Sequence, residues 1–295
     1  MDIRQLDYFI VAAREGNFTR AADELFLSRQ ALSKAVRNLE HEVGTTLLVN
    51  RDNHLELTAA GRALHRDALP VVQSYRDLES RYARVSGKAP LKQELSVAMA
   101  HGTALSLPDR AVDAFRAEQP DILLSVEEVT TETALDMARS GDADISLVGS
   151  APQYLKEFDI ALVVQTGVYV FVPDDQPLAR RSSLELRDLD GQPFVTFGKR
   201  NHLHRYFLEA CDREGVQPNI LMTTSDLELL VRSADEQRAI YFGFPPDVRA
   251  ADKTNRALIP VNLGCDDDFG TYAIKRKGAP LSSSAQAFWE YLERL

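Results

Sequence analysis

Apolar positions near the start of the chain recur every three or four places, the spacing of one helix face. Between Ser28 and His41 (SRQALSKAVRNLEH), Leu32, Val36, Leu39 and then Val43 fall on one side. Arg29, Gln30, Ser33, Lys34, Arg37 and His41 fall on the other. Ser28 is placed to accept a bond from an early helix N–H, and Gly44 can turn left-handed and stop the helix. Upstream, Thr19 to Leu25 predicts a short helix capped by Thr19, with Ala21 and Ala22 small enough for close packing. Ile3, Leu6, Phe9, Ile10 and Ala13 space as a helix that covers the pair. Two short helices joined at Phe26-Leu27, the second with a polar face, predict a helix-turn-helix. The pair alone reads equally as an ordinary helical hairpin with a solvated face. Leu47 to Leu57 then holds two short apolar runs around Arg51-Asp52-Asn53-His54, which predicts a β-hairpin, or wing.

The next stretch keeps a longer period. Leu57, Leu64, Val71, Leu78 and Val85 recur at seven residues, and Ala68, Tyr75 and Tyr82 form a second set. This heptad seam predicts a helix from Ala59 to about residue 86, capped by Thr58 and pairing with a second copy. A helix packed on its own domain is the alternative; pairing is favoured because so long a helix has no obvious partner within the chain. Pro70 lies inside it and predicts a kink. Gly87-Lys88-Ala89-Pro90 predicts its end and a hinge.

Beyond residue 91 the pattern alternates between short apolar runs and helical periods. Strands are predicted at Glu94–Ala100, Ile122–Val129, Ala143–Val148, Phe158–Gln165, Val168–Val172, Phe194–Phe197, Ile220–Thr223, Ala239–Phe242, Ala257–Leu263 and Phe269–Lys275. Helices are predicted at Thr103–Glu118, Thr131–Arg139, His202–Glu214, Asp226–Ala234 (with a Ser225/Glu228 capping box) and Ser284–Arg294. Such alternation predicts α/β units whose ligands sit at the carboxyl ends of strands.

Charge sharpens this division. The whole chain carries −10, yet residues 1–90 hold 13 Lys/Arg against 12 Asp/Glu, so the acidity lies in the C-terminal part. Local placement and multiple copies must therefore supply any affinity for phosphates. Cys211 and Cys265 form no Cys-x-x-Cys, no membrane-length apolar run occurs, and the N-terminus carries no export signal; a reduced, cytoplasmic protein is expected.

Several of these segments resemble a known family. Gly16-Asn17-Phe18-Thr19-Arg20-Ala21-Ala22, Leu25-Phe26-Leu27-Ser28, Ala31-Leu32-Ser33-Lys34, Leu39-Glu40, Val43-Gly44 and Leu57-Thr58-Ala59-Ala60-Gly61 resemble the N-terminal signature of LysR-type transcriptional regulators. Gly141-Asp142-Ala143-Asp144-Ile145 and Val172-Pro173 through Gln176-Pro177-Leu178-Ala179 resemble landmarks of the same family's C-terminal domain. The resemblance implies a winged helix-turn-helix at 1–58, a linker and dimerisation helix with a hinge at 59–90, and a periplasmic-binding-protein-like α/β effector domain at 91–295. That domain would divide into subdomain I (about 91–160 and 266–295) and subdomain II (about 161–265), with a small effector in the cleft between them. It also implies double-stranded DNA as partner and a homodimer through the linker helix; the heptad seam is expected to pair two chains, and two such pairs to give a homotetramer. No cofactor, no metal, no membrane partner and no enzymatic activity are expected. The alternative is an α/β small-molecule-binding protein or enzyme with a degenerate DNA-binding domain.

Candidate site residues follow from placement. Arg29, Gln30, Ser33, Lys34 and Arg37 carry the groups that read base edges, with Thr19 and Arg51 positioned for the backbone. The family often has Gln-Pro or Gln-Ser where Arg29-Gln30 stand, and its wing arginine falls on Asn50, one place before Arg51. Which bases are read does not transfer. For the effector, His101, Gly102 and Thr103 lie at the first strand-to-helix junction and Thr130 and Thr131 at the second. Thr196, Phe197, Lys199 and Arg200 lie at a third, and Phe242, with Tyr241, is a candidate apolar wall. Hydroxyls, helix N-termini and cations suit a small carboxylate; the same threonines also read as plain caps. The family commonly has a small or hydroxyl residue near His101, and glycines where Asp235-Glu236-Gln237-Arg238 precede Ala239. His202-Leu203-His204 could ligate a metal, but exposure at a helix start is the favoured reading. No Gly-x-Ser-x-Gly elbow, phosphate-binding glycine loop or His-Glu-x-x-His helix occurs.

Overall fold

The computed structural model describes residues 1–51, 54–85, 93–108, 110–243, 256–263 and 268–295. Helix α1 (Ile3–Glu15) starts on a reciprocal cap between Asp2 and Gln5. Helix α2 (Phe18–Glu24) follows after Gly16 at φ 59°. Its cap is Asn17, not Thr19: Asn17 Oδ1 accepts from the Thr19 and Arg20 amides at 2.8 and 3.3 Å. Asn is as good a cap as Thr, and its position two residues earlier starts the helix at Phe18. Helix α3 (Arg29–Val43) begins at the Ser28 hydroxyl, 3.1 Å from the Ala31 amide, and ends at Gly44 with φ 76°. Leu32, Val36 and Leu39 are buried against Leu6, Phe9, Ile10, Ala21, Ala22 and Leu47.

Strands β1 (Leu48–Arg51) and β2 (His54–Leu57) pair antiparallel as the wing. Its tip, residues 52 and 53, lies outside the described residues. One side chain ties the wing to α3: Glu40 Oε1 accepts from the Leu47 and Leu48 amides at 2.8 and 3.1 Å.

Helix α4 (Ala59–Val85) is capped by Thr58, whose hydroxyl accepts from the Gly61 amide at 2.9 Å, and runs through Pro70 as one helix. The expectation that it lacks a partner within the chain is corrected for its first half. Ala68 and Val72 join the N-terminal core, the His65 ring sits 6.2 Å from that of Phe9, and Arg76 pairs with Asp7 at 2.6 Å. A second side, at Leu69, Pro70 and Gln73, faces the C-terminal half of the chain. Val71, Tyr75, Leu78 and Tyr82 remain exposed in one stripe. The expected hinge at 87–90 and the Val85 side chain lie outside the described residues.

Two α/β lobes follow. In the first, β3 (Gln93–Ala100) runs parallel to β4 (Ile122–Val129) and β5 (Ile145–Ser150). The helix expected from Thr103 to Glu118 is two, α5 (Thr103–Ser106) and α6 (Ala111–Glu118). Pro108 forces the break, since it disfavours helical backbone before it, and Leu107 is extended at ψ 152°. Helix α7 (Thr131–Ser140) packs its Ala134 and Ala138 beneath the sheet. Strand β6 (Phe158–Gln165) still belongs to this sheet, so the chain crosses to the second lobe after Gln165 rather than near 160.

The second lobe holds β7 (Tyr169–Pro173), β8 (Leu184–Glu185), β9 (Pro193–Phe197), α8 (His202–Glu214), β10 (Asn219–Thr224), α9 (Leu227–Gln237), β11 (Tyr241–Gly243) and β12 (Arg256–Asn262). Strands β9 and β10 are parallel, and β7 sits between β11 and β12, antiparallel to both. The α9 cap is Asp226, which accepts from Leu229 N at 2.8 Å, and not Ser225. The turn before Ala239 manages without glycine because Arg238 itself is left-handed, φ 52°, with its guanidinium on Asp175. The chain returns through β13 (Gly270–Arg276), which lies between β5 and β6 in the first sheet, and ends in α10 (Ser283–Leu292). The crossing segments meet where Gly167 N donates to Phe269 O at 3.0 Å.

Candidate functional sites

The first candidate site, the polar face of α3, is built by that helix's amphipathy. With Leu32, Val36 and Leu39 at 1% exposure or less, its opposite face points outward. Arg29, Gln30, Lys34 and Arg37 are exposed there, and Ser33 is half-buried between them. Thr19, in the first turn of α2, is exposed, as is Arg51 at the wing end, where it pairs with Glu56 at 3.6 Å. The wing is seated by Gly16. A Cβ there would stand 2.2 Å from the His54 ring, and Gly16 O accepts from the Leu55 amide at 2.7 Å.

The second site is a cavity of about 390 Å³ between the lobes. His101, Thr130, Thr131 and Glu132 line it from the first lobe, and Phe197, Gly198, Lys199, Arg200, Asn201 and Ser225 from the second. It therefore gathers six of the ten expected effector residues. Thr130 accepts from the Thr133 amide at 3.2 Å, capping α7. Asn201 does the same for α8, accepting from Leu203 N and His204 N at 2.9 and 3.3 Å. These caps take up part of the N–H groups that an anion would use, so cations and hydroxyls carry more of the pocket's polarity than helix ends do. Two bonds cross the cleft. Arg200 pairs with Glu132, and Asn201 Nδ2 donates to Thr131 Oγ1 at 3.4 Å. His101 Nδ1 stands 3.5 Å from Glu128.

Four expected residues do not line the cavity. Thr196 precedes Phe197 on β9, and because strand side chains alternate it points into the lobe, 3.4 Å from His204 Nδ1. Phe242 is enclosed by the rings of Phe194 and Phe207 at 5.4 and 5.0 Å. Tyr241, the accompanying candidate, is buried and stacks on Phe171. Thr103 folds back on the Ala100 carbonyl at 2.6 Å, and Gly102 is buried beside it. The sequence reasoning missed Glu132, Gly198, Asn201 and Ser225. Asn201 carried a signal, an Asn immediately before a predicted helix start.

His202 and His204 are both buried, contrary to the exposed placement expected for them. The Ser150 hydroxyl and His202 Nδ1 are hydrogen bonded at 2.7 Å, joining the lobes behind the cleft. Burial, with Arg205 nearby, pushes His202 down to about 4, and burial, with Lys199, lowers His204. No cluster of three or more metal-ligating side chains occurs among the described residues. No described helix is long and apolar enough to cross a membrane.

Known proteins share both parts. Residues 3–62 match the family described as bacterial regulatory helix-turn-helix protein, lysR family, and residues 88–295 match the LysR substrate binding domain. The chain is 31% identical over 196 residues to the Hca operon transcriptional activator HcaR of Escherichia coli, covering 66% of this chain and 65% of that protein. It is 28% identical over 304 residues to the RuBisCO operon transcriptional regulator of Allochromatium vinosum, covering 99% and 95%. A full-length OxyR variant from Pseudomonas aeruginosa superposes with a TM-score of 0.78 at 21% identity, over 100% of this chain and 94% of that one. Full-length CbnR in complex with its target DNA gives 0.61 at 24%, over 100% and 99%.

Proposed function

The chain belongs to the LysR family of bacterial transcriptional regulators, and on that premise we propose how its own residues do the regulating. Arg29, Gln30, Ser33, Lys34 and Arg37 read base edges from the major groove, while Thr19 and Arg51 hold the backbone. The observation that carries this is the solvent-facing polar side of α3, whose other side is buried in its own unit. Lys34→Ala tests it. Specific affinity falls at fixed salt while the unfolding midpoint stays; unchanged affinity removes Lys34 from the interface.

A small carboxylate binds between the lobes, its charge on Lys199 and Arg200 and its polar atoms on Thr130, Thr131 and His101. The mixed polar and aromatic lining, with Phe197 as the apolar wall, supports this class. Thermal shift against a panel of carboxylates and their neutral amides tests it, with Arg200→Gln abolishing the preference for the acid.

The protein acts by binding rather than catalysis, in the cytoplasm, as a homotetramer. The exposed stripe Val71, Tyr75, Leu78 and Tyr82 pairs two linker helices as a heptad seam. Exposed Leu123 and Val126 on edge strand β4, with Leu221 and Leu227 on the other lobe, supply a second contact between pairs. Light scattering at micromolar concentration is the check, and a monomer contradicts it.

A further inference from the structure

Helix α7 touches both the cleft and the linker helix. At its start, Glu132 pairs with Arg200 of the opposite lobe and Thr131 accepts from Asn201. At its end, a Cβ on Gly141 would stand 2.9 Å from Leu69 Cδ1 of α4. Ala138 and Gly141 share with Leu69, Pro70 and Gln73 the wall of a cavity of about 90 Å³. Arg276, at the end of β13, also reaches α4, donating to the Arg66 carbonyl at 2.8 Å. Between its ends the helix is a rod about 15 Å long. Ala134 and Ala138 are buried to 1% exposure or less, and Ser146 donates to the Ala134 carbonyl at 2.8 Å.

We propose that Glu132 is an internal competitor for the effector's anionic group, and that α7 carries its release from Arg200 to the linker helix through the Gly141–Leu69 contact. The proposal rests on the effector-cleft reading above. Glu132 holds the Arg200 guanidinium across the cleft. A carboxylate arriving on Arg200 takes that place and repels Glu132, which pushes the start of α7. A helix packed along its length shifts as a body, and small shifts at one end reappear at the other. At the far end the absence of a side chain on Gly141 brings the backbone close to Leu69, so the shift is transmitted. The small cavity beside Pro70 gives the linker helix room to respond.

The experiment uses the full chain and a DNA duplex carrying the site it protects upstream of its own gene. Without ligand, Glu132→Gln mimics the displaced carboxylate and changes affinity for that duplex about two- to fivefold, the scale of an exposed ion pair. The change disappears in a Leu69→Ala background and survives in Leu69→Met, which keeps the contact. Glu132→Gln also binds sodium benzoate about two- to fivefold more tightly than the wild type, with benzamide unaffected. Circular dichroism confirms that each variant is folded. The proposal is overturned by a Glu132→Gln duplex affinity equal to wild type, by a change that persists in Leu69→Ala, or by benzoate affinity that does not rise. A wild type with no preferred duplex overturns the regulator reading first, and this inference with it.

Discussion

The ring of His54 occupies the space where any side chain on Gly16 would have to stand, with a built Cβ only 2.2 Å from His54 Cε1. The wing is thus seated on the turn between α1 and α2, and its position relative to α3 depends on one missing side chain. Gly16 is also left-handed at φ 59°. Gly16→Ala is expected to lose about 1–2 kcal/mol from backbone strain, plus the cost of displacing the wing. Urea unfolding gives the total. Adding His54→Ala recovers the steric share and leaves the backbone share, so equal stability of single and double variants would refute the seating.

Glu40 fixes the other side of the wing. Its Oε1 accepts two amides, from Leu47 and Leu48, in a half-buried place. Glu40→Ala leaves both donors without that acceptor and is expected to cost about 1–3 kcal/mol. Amide exchange at Leu47 and Leu48 is the direct readout, and protection equal to wild type would show that another group holds the strand.

The helix-turn-helix turn carries avoidable strain. Phe26 is left-handed at φ 53° and 96% exposed, so it bears the backbone cost with no burial in return. Phe26→Asn is expected to raise stability by about 1 kcal/mol, because Asn enters this region more readily. A lower urea midpoint for the variant would mean that Phe26 contributes through contacts that its exposure does not reveal.

Stability should fall in acid from a site behind the cleft. His202 titrates at about 4 in the folded chain, pushed down by burial first and Arg205 second, against ~6.5 in the unfolded one. A depressed histidine leaves stability fully present above ~6.5 and removes it as pH falls towards 4, by about 3 kcal/mol in total. His65 and His204 are lowered in the same direction, chiefly by burial, and steepen the slope. Urea midpoints across this range should show a shallower slope for His202→Gln than for the wild type. Parallel slopes would exclude His202 as a source.

The dimer seam has a sharp test of its own. Leu78 and Tyr75 lie exposed on α4, and Leu78→Glu places a charge in the stripe on each copy. The mass by light scattering should fall by half or more. An unchanged mass would move the pairing elsewhere.

How much of this was legible in the sequence depends on how local the determining interactions are. Helix α3 was readable to the residue because its cap, its apolar stripe and its stop, Ser28 to Gly44, are all local. Local rules also misled where two good caps stood close together, as with Asn17 and Thr19, or Asp226 and Ser225. The cleft's location and six of its lining residues followed from strand ends, but the other four did not. Thr196 and Phe197 are neighbours in sequence, and only the pleat of β9 decides which one faces the cavity. The Glu132–Arg200 pair and the Leu69–Gly141 contact join residues far apart in the chain, with no periodicity to announce them. The packing of α4 on its own chain was hidden for the same reason.

The most direct test of the account is binding of the full chain to the DNA upstream of its own gene and its divergent neighbour, titrated with salt against a scrambled duplex. The account predicts a strong preference for the natural sequence and a steep salt slope, roughly −0.9 for each phosphate contacted. Lys34→Ala should weaken binding and reduce that slope. Equal affinity for natural and scrambled duplexes would contradict it, and would leave the chain as an α/β ligand-binding protein whose helix-turn-helix no longer reads DNA.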